Sequence, residues 1–363
     1  MNARYVKIWG RLTESMLFLP TLALILILIA DFFLIPGFFN LDVRDGHLYG
    51  NLVDILLHGS PTMILAMGMT LVIATGGVDL SVGAVMAIAS SLACILINPS
   101  IVGVQLSPDV QRLLNNPDYS YFPLPLVVII PLIVATLCGA WNGMLVSYWR
   151  IQPMVATLVL MIAGRGIAQL ITNAIKIIIF NDQYAYIGNG WIVLPFSLYI
   201  AAAVFLFSWL ITRRTAIGLF IESVGINYKS SFYSGINEQR VKLFAYSFCG
   251  FCAGIAGLIA TSAIRTSDAN QIGLYTELDA ILAVVIGGTL MGAGGRFSLL
   301  GSALGALVIQ ATITSMLSFG VAASAITAVK AVVVIAVILL YSEQAQGFIR
   351  GIGRVGMREE AAR

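Results

Sequence analysis

Apolar residues run in long blocks along the chain, and polar residues are gathered into the gaps between them. A block of about 20 apolar residues crosses a bilayer as a helix, at about 1.5 Å of rise per residue. Such blocks fall at 16–38, 51–75, 79–97, 123–148, 152–173, 195–211, 243–263, 279–292, 298–318 and 324–341. The pattern predicts an all-α polytopic membrane protein with about ten transmembrane helices. The eighth block is short, and the second carries Pro61 after Gly59-Ser60, where a kink or break is expected. The first block follows a basic start but has no small-residue cleavage site, so it is read as a retained span.

Composition agrees with the blocks. Hydrophobic residues make up 59% of the chain and charged residues only 10%, against about 25% charged in a soluble domain. The net charge of +3 implies no nucleic-acid partner. The placement of the charges says more than their sum. Across ten spans, one side collects Arg4, Lys7, Arg11, Arg150, Arg213, Arg214, Lys229, Arg240, Lys242, Arg296, Arg350, Arg354, Arg358 and Arg363. The other holds only Arg44, Arg112, Lys176 and Arg265. By the positive-inside bias, both termini are expected in the cytoplasm. The organisation is then a cytoplasmic segment 1–15, a transmembrane domain 16–341 and a cytoplasmic tail 342–363, with an external loop 98–122 and a basic cytoplasmic loop 212–242. That loop has a helical middle bounded by Gly218 and Gly235, the form of an element presented to a cytoplasmic partner.

The motifs of catalysis are missing. There is no GxxxxGK[ST] phosphate loop, no HExxH, no GxSxG elbow, and only two histidines, His47 and His58. Cys94, Cys138, Cys249 and Cys252 lie in apolar blocks, and the CxxC pair is read as small packing residues, with no further ligands for a metal. Glycines four apart (139/143, 250/254, 288/292, 301/305) point to close helix packing.

Ionisable residues at membrane depth are few: Asp31, Asp54, His58, Asp79, Arg165, Asp279 and Lys330. Each costs about 2.5–3.5 kcal/mol at the bilayer centre on insertion scales, so each needs a reason to be there. For Asp79 the reason is local. The second span ends at Ala74-Thr75, Gly76 takes the left-handed position and Gly77-Val78 turn; Asp79 then caps a helix that opens through Ser81. This makes a tight hairpin at the cytoplasmic face. Asp279, after Glu277, is expected at the external end of the eighth span, where a carboxylate suits a helix start. Arg165, between Gly164 and Gly166, and Lys330 either pack and snorkel or line a pathway, and periodicity assigns them no partner. A second apolar run meets a glycine pair at Gly287-Gly288, with a new helix near Ser298; two such junctions point to an internal duplication around a transport path.

Four runs carry a family resemblance: "GMTLVIATGGVDLSVGAVMAIAS" (68–90), "IQPMVATLVLMIAGRGIAQLIT" (151–172), "TAIGLFIESVGINYKSSFYSGIN" (215–237) and "RTSDANQIGLYTELDAILAVVIGGTLMGAGGRFSLLGSALGALVIQ" (265–310). The chain resembles permease subunits of bacterial ABC sugar importers, the ribose/galactose/autoinducer-2 group, and is most similar to those of galactofuranose importers. The resemblance implies a pore of two permease subunits, identical or paralogous, in the inner membrane. It also implies a cytoplasmic ATPase that holds ATP and magnesium, and a periplasmic sugar-binding protein. The 215–237 loop would couple the pore to the ATPase, with Glu222, Gly225 and Asn227 at the positions of the family's loop motif. The loop reads "GINYKSS" where the family more often has "GGN…AA", and "LMGAGGRF" carries one extra small residue. The alternative is an ATP-independent secondary transporter using Asp79, Arg165 or Lys330.

Overall fold

In a computed structural model, residues 16–332 are described, apart from 45, 106, 115, 117–118, 290–293 and 323–324. The terminal segments 1–15 and 342–363, and the tenth block beyond residue 332, lie outside the described residues. The apolar blocks become helices α1 (Phe18–Leu34), α2 (Asn51–Ala74), α3 (Val82–Ile97), α5 (Leu124–Ser147), α6 (Pro153–Ile171), α8 (Phe196–Arg214), α11 (Glu238–Ile264), α12 (Thr276–Ile286) and α13 (Leu299–Ser318). The gaps add α4 (Pro108–Leu114), α7 (Asp182–Asn189), α9 (Ala216–Ile226) and α10 (Tyr228–Tyr233). The chain divides into two compact units, Met1–Thr312 and Ile313–Arg363. In the second unit, 325–332 is helical.

Helix starts follow local chemistry. Proline stands in the first turn of α5 and α6, where its missing N–H costs nothing, and the side chains of Thr215, Asn227 and Asn237 accept from the opening turns of α9, α10 and α11. α2 runs through Pro61 without a break, and the Ser60 hydroxyl takes the Leu56 carbonyl one turn back.

Helices α2, α5, α6, α8, α11 and α13 are long and apolar enough to cross a membrane, while α1 and α3 are shorter apolar helices. Exposed Phe33, Leu137, Ile162, Leu170 and Leu206 put an apolar surface on the outside of the bundle. α11 packs against α5, α2 and α3, and much of it is buried. Glycines let α11 cross close to α5. A Cβ at Gly139 would collide with the Tyr246 carbonyl, and one at Gly250 with the Ala135 carbonyl. The four-residue glycine spacing therefore serves packing within the bundle. Cys249 and Cys252 are free, buried thiols beside Gly68, as packing residues should be.

The two ends of the first unit differ. One end carries α4, α7 and two antiparallel ribbons, β1 (Asp42–Arg44) with β2 (His47–Tyr49) and β3 (Ile177–Ile178) with β4 (Thr266–Ser267). The all-α pattern did not anticipate these ribbons; they arise where connecting loops pair backbone with backbone. An exposed ion pair, Arg265 to Asp182 at 2.7 Å, ties the same end. The opposite end carries α9 and α10. The eighth span also departs from expectation. Its helix is Thr276–Ile286, about half a crossing at about 16 Å, and the irregular segment 268–275 leads into it from β4.

Gly250→Val is expected to break the α5–α11 crossing. The stability loss should be about 1–3 kcal/mol or more, read as a lower unfolding temperature and aggregation in detergent. Gly166→Ala, where a Cβ meets nothing within 4 Å, is expected to leave both unchanged.

Candidate functional site

The two glycine junctions close by the same set of hydrogen bonds. At the end of α2, Gly76 (φ +81°) donates to the Ile73 carbonyl and Gly77 to that of Val72. At the end of α12, Gly288 (φ +87°) donates to the Val285 carbonyl and Thr289 to that of Val284. Both are left-handed helix stops of the kind that glycine adopts without strain. Each is followed by a side chain that takes up a free backbone N–H. At α3, however, the capping position falls on Ser81, which makes no side-chain cap, and the expected cap, Asp79, stands two residues ahead of it in the turn. Asp79 Oδ1 accepts from the Ser81 N–H at 2.9 Å, and Ser298 Oγ accepts from the Gly301 N–H at 3.0 Å. The expected recurrence is thus present in the hydrogen bonding, although few letters match.

Asp79 lies deeper than a surface hairpin would put it. It is 1% exposed. Its Oδ1 also accepts from the Ser81 hydroxyl at 2.6 Å, and the Asn142 amide bridges to Ser81 Oγ at 2.8 Å. Asn142 stands five residues before the end of α5, so α3 begins about 8 Å inside that end of the bundle. The Tyr246 hydroxyl of α11 donates to the Val78 carbonyl at 3.3 Å. Asp79 Oδ2 and Asn142 Oδ1 are buried acceptors that no nitrogen or oxygen donor reaches among the described residues, and the Cys249 thiol lies beside Asp79.

A second buried helix start lies beside the first. A Cβ at Gly83, in the first turn of α3, would collide with the Gly273 carbonyl and with Glu277 Oε2. Glu277 opens α12 and is 5% exposed. The start of α12 therefore sits against α3 inside the bundle and not at an external end, which moves Asp279, also in the first turn, inward with it. Helix starts carry partial positive charge, and here each has a carboxylate of the chain's own beside it. Arg165 completes the group. Its Nη1 donates to the carbonyls of Ala269, at 2.9 Å, and Ile272, and the Glu277 and Asp268 carboxylates act on it electrostatically. Periodicity could not reveal these partners, which lie 104 and 107 residues away in sequence. Lys330 belongs to the second unit, in the 325–332 helical stretch, and is half-buried.

The 215–237 loop folds as two helices rather than one. Asn227 is extended, and its side chain accepts from the Ser230 N–H to start α10, while Gly235 (φ +82°) stops it. Gly218 lets α9 lie against the Thr212 carbonyl. Gly225 does the same at the end of α2, where a Cβ would strike the Ala74 carbonyl, and Gly294 packs on Gly225. The Ala74 carbonyl itself accepts from the Gly295 N–H at 2.8 Å. So α9, the end of α2 and the loop after α12 meet at one point. Gly287 packs on Gly301, nearer the start of α13, and Glu222 is half-buried on α9. The outer side of α9 and α10 exposes Leu219, Ile226, Tyr228, Phe232 and Tyr233. Asn142 was not singled out in the sequence, yet its place between two glycines of an apolar block is the signal that marks it.

An apolar exterior around interrupted, internally capped spans defines a polytopic helical membrane protein built for transport. The chain belongs to the family described as the permease component of branched-chain amino acid transport systems, matched over residues 51–342. It is a multi-pass permease component of a transport system and not an enzyme. It is 45% identical over 333 residues to the galactofuranose transporter permease protein YtfT of Escherichia coli K12, covering 91% of each chain. It is 38% identical to the fructose import permease protein FruF of Bifidobacterium longum, over 81% of this chain and 78% of that one. To the ribose import permease protein RbsC of Haemophilus influenzae it is 35% identical, over 79% and 81%. No solved structure matches the chain.

Asp79→Asn is expected to preserve folding to within about 1 kcal/mol, because Oδ1 still accepts from Ser81 and the new amide can donate to Asn142 Oδ1. Asp79→Ala should cost about 1–3 kcal/mol by leaving buried donors unpaired. Thermal unfolding of the purified protein reads both. Loss of transport by a stably assembled Asp79→Asn protein would instead assign a role to the charge.

Proposed function

We propose that the chain is the pore-forming transmembrane subunit of an ATP-binding-cassette importer in the bacterial inner membrane, moving a monosaccharide such as galactofuranose, galactose or another pentose or hexose. The single observation that carries the reading is 45% identity across 91% of a galactofuranose permease. ATP and magnesium would be held by a separate ATPase, and a periplasmic binding protein would deliver the sugar. A second permease subunit, identical or paralogous, would complete the pore. Both termini and the 212–242 loop face the cytoplasm in this arrangement.

The geometry supports a particular coupling route. Exposed aromatic and aliphatic side chains on α9 and α10 suit a protein partner better than water, since such residues form the anchors of interfaces. A cavity of about 260 Å³ opens beside Phe232, between Arg150 and Glu238. Force applied to α9 passes through Gly225 to Ala74 and Gly295, and so to both glycine junctions at once. Rigid elements meeting at a few close contacts transmit a tilt in this way.

Reconstituted with its ATPase, its second permease and its binding protein, the chain is expected to take up labelled galactofuranose only when ATP is supplied. Uptake by this chain alone, driven by a proton gradient, would overturn the reading. Phe232→Ala combined with Tyr233→Ala is expected to weaken co-purification of the ATPase by about tenfold or more while the permease itself stays folded.

A further inference from the structure

We propose that the irregular segment 268–275, together with Gln169 of α6, is a carbohydrate-contacting wall of the translocation path. The inference rests on the sugar-importer reading above and goes on to name the residues that meet the solute.

The segment lies at membrane depth. Arg165, which holds the Ala269 and Ile272 carbonyls, stands six residues inside the end of α6, about 9 Å in. Gly273 lies further in, against the start of α3. Non-helical backbone at such depth is tolerated only where protein buries it or where it lines a watery cavity. The inner side of the segment meets the first condition, since Ala269, Ile272, Gly273 and Glu277 are buried. Its outer side does not. Asn270, Gln271, Leu274 and Tyr275 are exposed, the last by 55%. Unburied, non-helical backbone carrying two amides suits a watery path and not lipid.

Its chemistry matches a sugar. Gln169 donates to Asn270 Oδ1, which aligns two amides on one surface, and Gln271 adds a third with no side-chain hydrogen bond among the described residues. An amide both donates and accepts, as a sugar hydroxyl does. Tyr275 adds an aromatic face for the C–H side of a sugar ring. Its backbone is left-handed, φ +63°, which a tyrosine rarely adopts, so the fold spends strain to hold this side chain at the start of α12. Charged groups stand behind the wall, where the Glu277 and Asp268 carboxylates act on the Arg165 guanidinium and Asp268 Oδ1 accepts from the Asn270 N–H. The side chains offered to the solute, Gln169, Asn270, Gln271 and Tyr275, are uncharged, which fits an uncharged polyhydroxylated ring.

Two measurements test this. In the first, Gln271→Cys in the assembled complex is expected to react with a charged, water-soluble thiol reagent, whereas Leu137→Cys on the apolar exterior is not. An unreactive Gln271→Cys overturns the proposal whether or not the chain imports sugar. In the second, ATP-driven sugar uptake is compared across Tyr275 variants. Tyr275→Gly relieves the backbone strain but removes the ring, and should lower uptake by about tenfold with assembly and unfolding temperature retained; Tyr275→Phe should stay within about threefold of wild type. Wild-type uptake by Tyr275→Gly overturns the proposal. Absence of uptake by the wild-type complex overturns the importer reading instead.

Discussion

A backbone amide inside a bilayer has no water to fall back on, so each N–H and C=O must find a partner within the protein. Continuous helices meet this demand without help. Breaking a span creates orphan donors and acceptors, and here side chains supply the missing partners. Arg165 takes two carbonyls of the segment before α12. Asp79 takes the Ser81 N–H before α3, and Ser298 takes the Gly301 N–H at α13. The charged and polar residues of the bundle are therefore the means by which its spans are interrupted, and interruptions are where a bundle can change shape without unfolding.

The interruptions are mechanically linked. Glycine at position 225 allows α9 to touch the backbone of α2, and the same carbonyl that a side chain there would strike also holds Gly295. Three stretches far apart in sequence thus share one contact. A single surface element can then address both glycine junctions, with no need for separate signals to α2–α3 and α12–α13. Glycine contacts also bring the backbones of α5 and α11 together, so that these two helices leave each other little room to shift.

Much of this was legible along the chain, for a physical reason. Apolar block length is set by the bilayer, so the spans could be counted; left-handed glycine and a following carboxylate are local signals, so the α2–α3 turn could be located, although the helix start falls at Ser81 and not at Asp79 and the turn lies deeper than expected. Three of the glycine pairs, 139/143, 250/254 and 301/305, announced close packing, while Gly292 of the fourth lies outside the described residues. Long-range pairing left no such trace. Arg165 reads as an isolated cation in "AGRGIA", and nothing nearby names the carbonyls that it holds. The early start of α12 was hidden because "IGLYTELD" mixes polar and apolar letters, and only its burial against Gly83 shows that it lies inside. The two ribbons are too short for any periodicity to register. Within the loop, the division into α9 and α10 follows from Asn227, a residue matched to the family motif for coupling that also caps a helix.

The Asp79 cluster also bears on how such a protein is made. Asp79 meets Asn142, which lies 63 residues later, and the Val78 carbonyl meets Tyr246, 168 residues later. Chains emerge from the ribosome at about 5–20 residues per second. The α2–α3 hairpin is therefore synthesised before Asn142 and Tyr246, with only Ser81 to pair Asp79, and a carboxylate so thinly paired is poorly suited to lipid. The order of synthesis thus favours holding this hairpin near the insertion machinery, or near the polar surface of the membrane, until α5 and α11 arrive. Its seat is complete only once Tyr246 of α11 has reached the Val78 carbonyl.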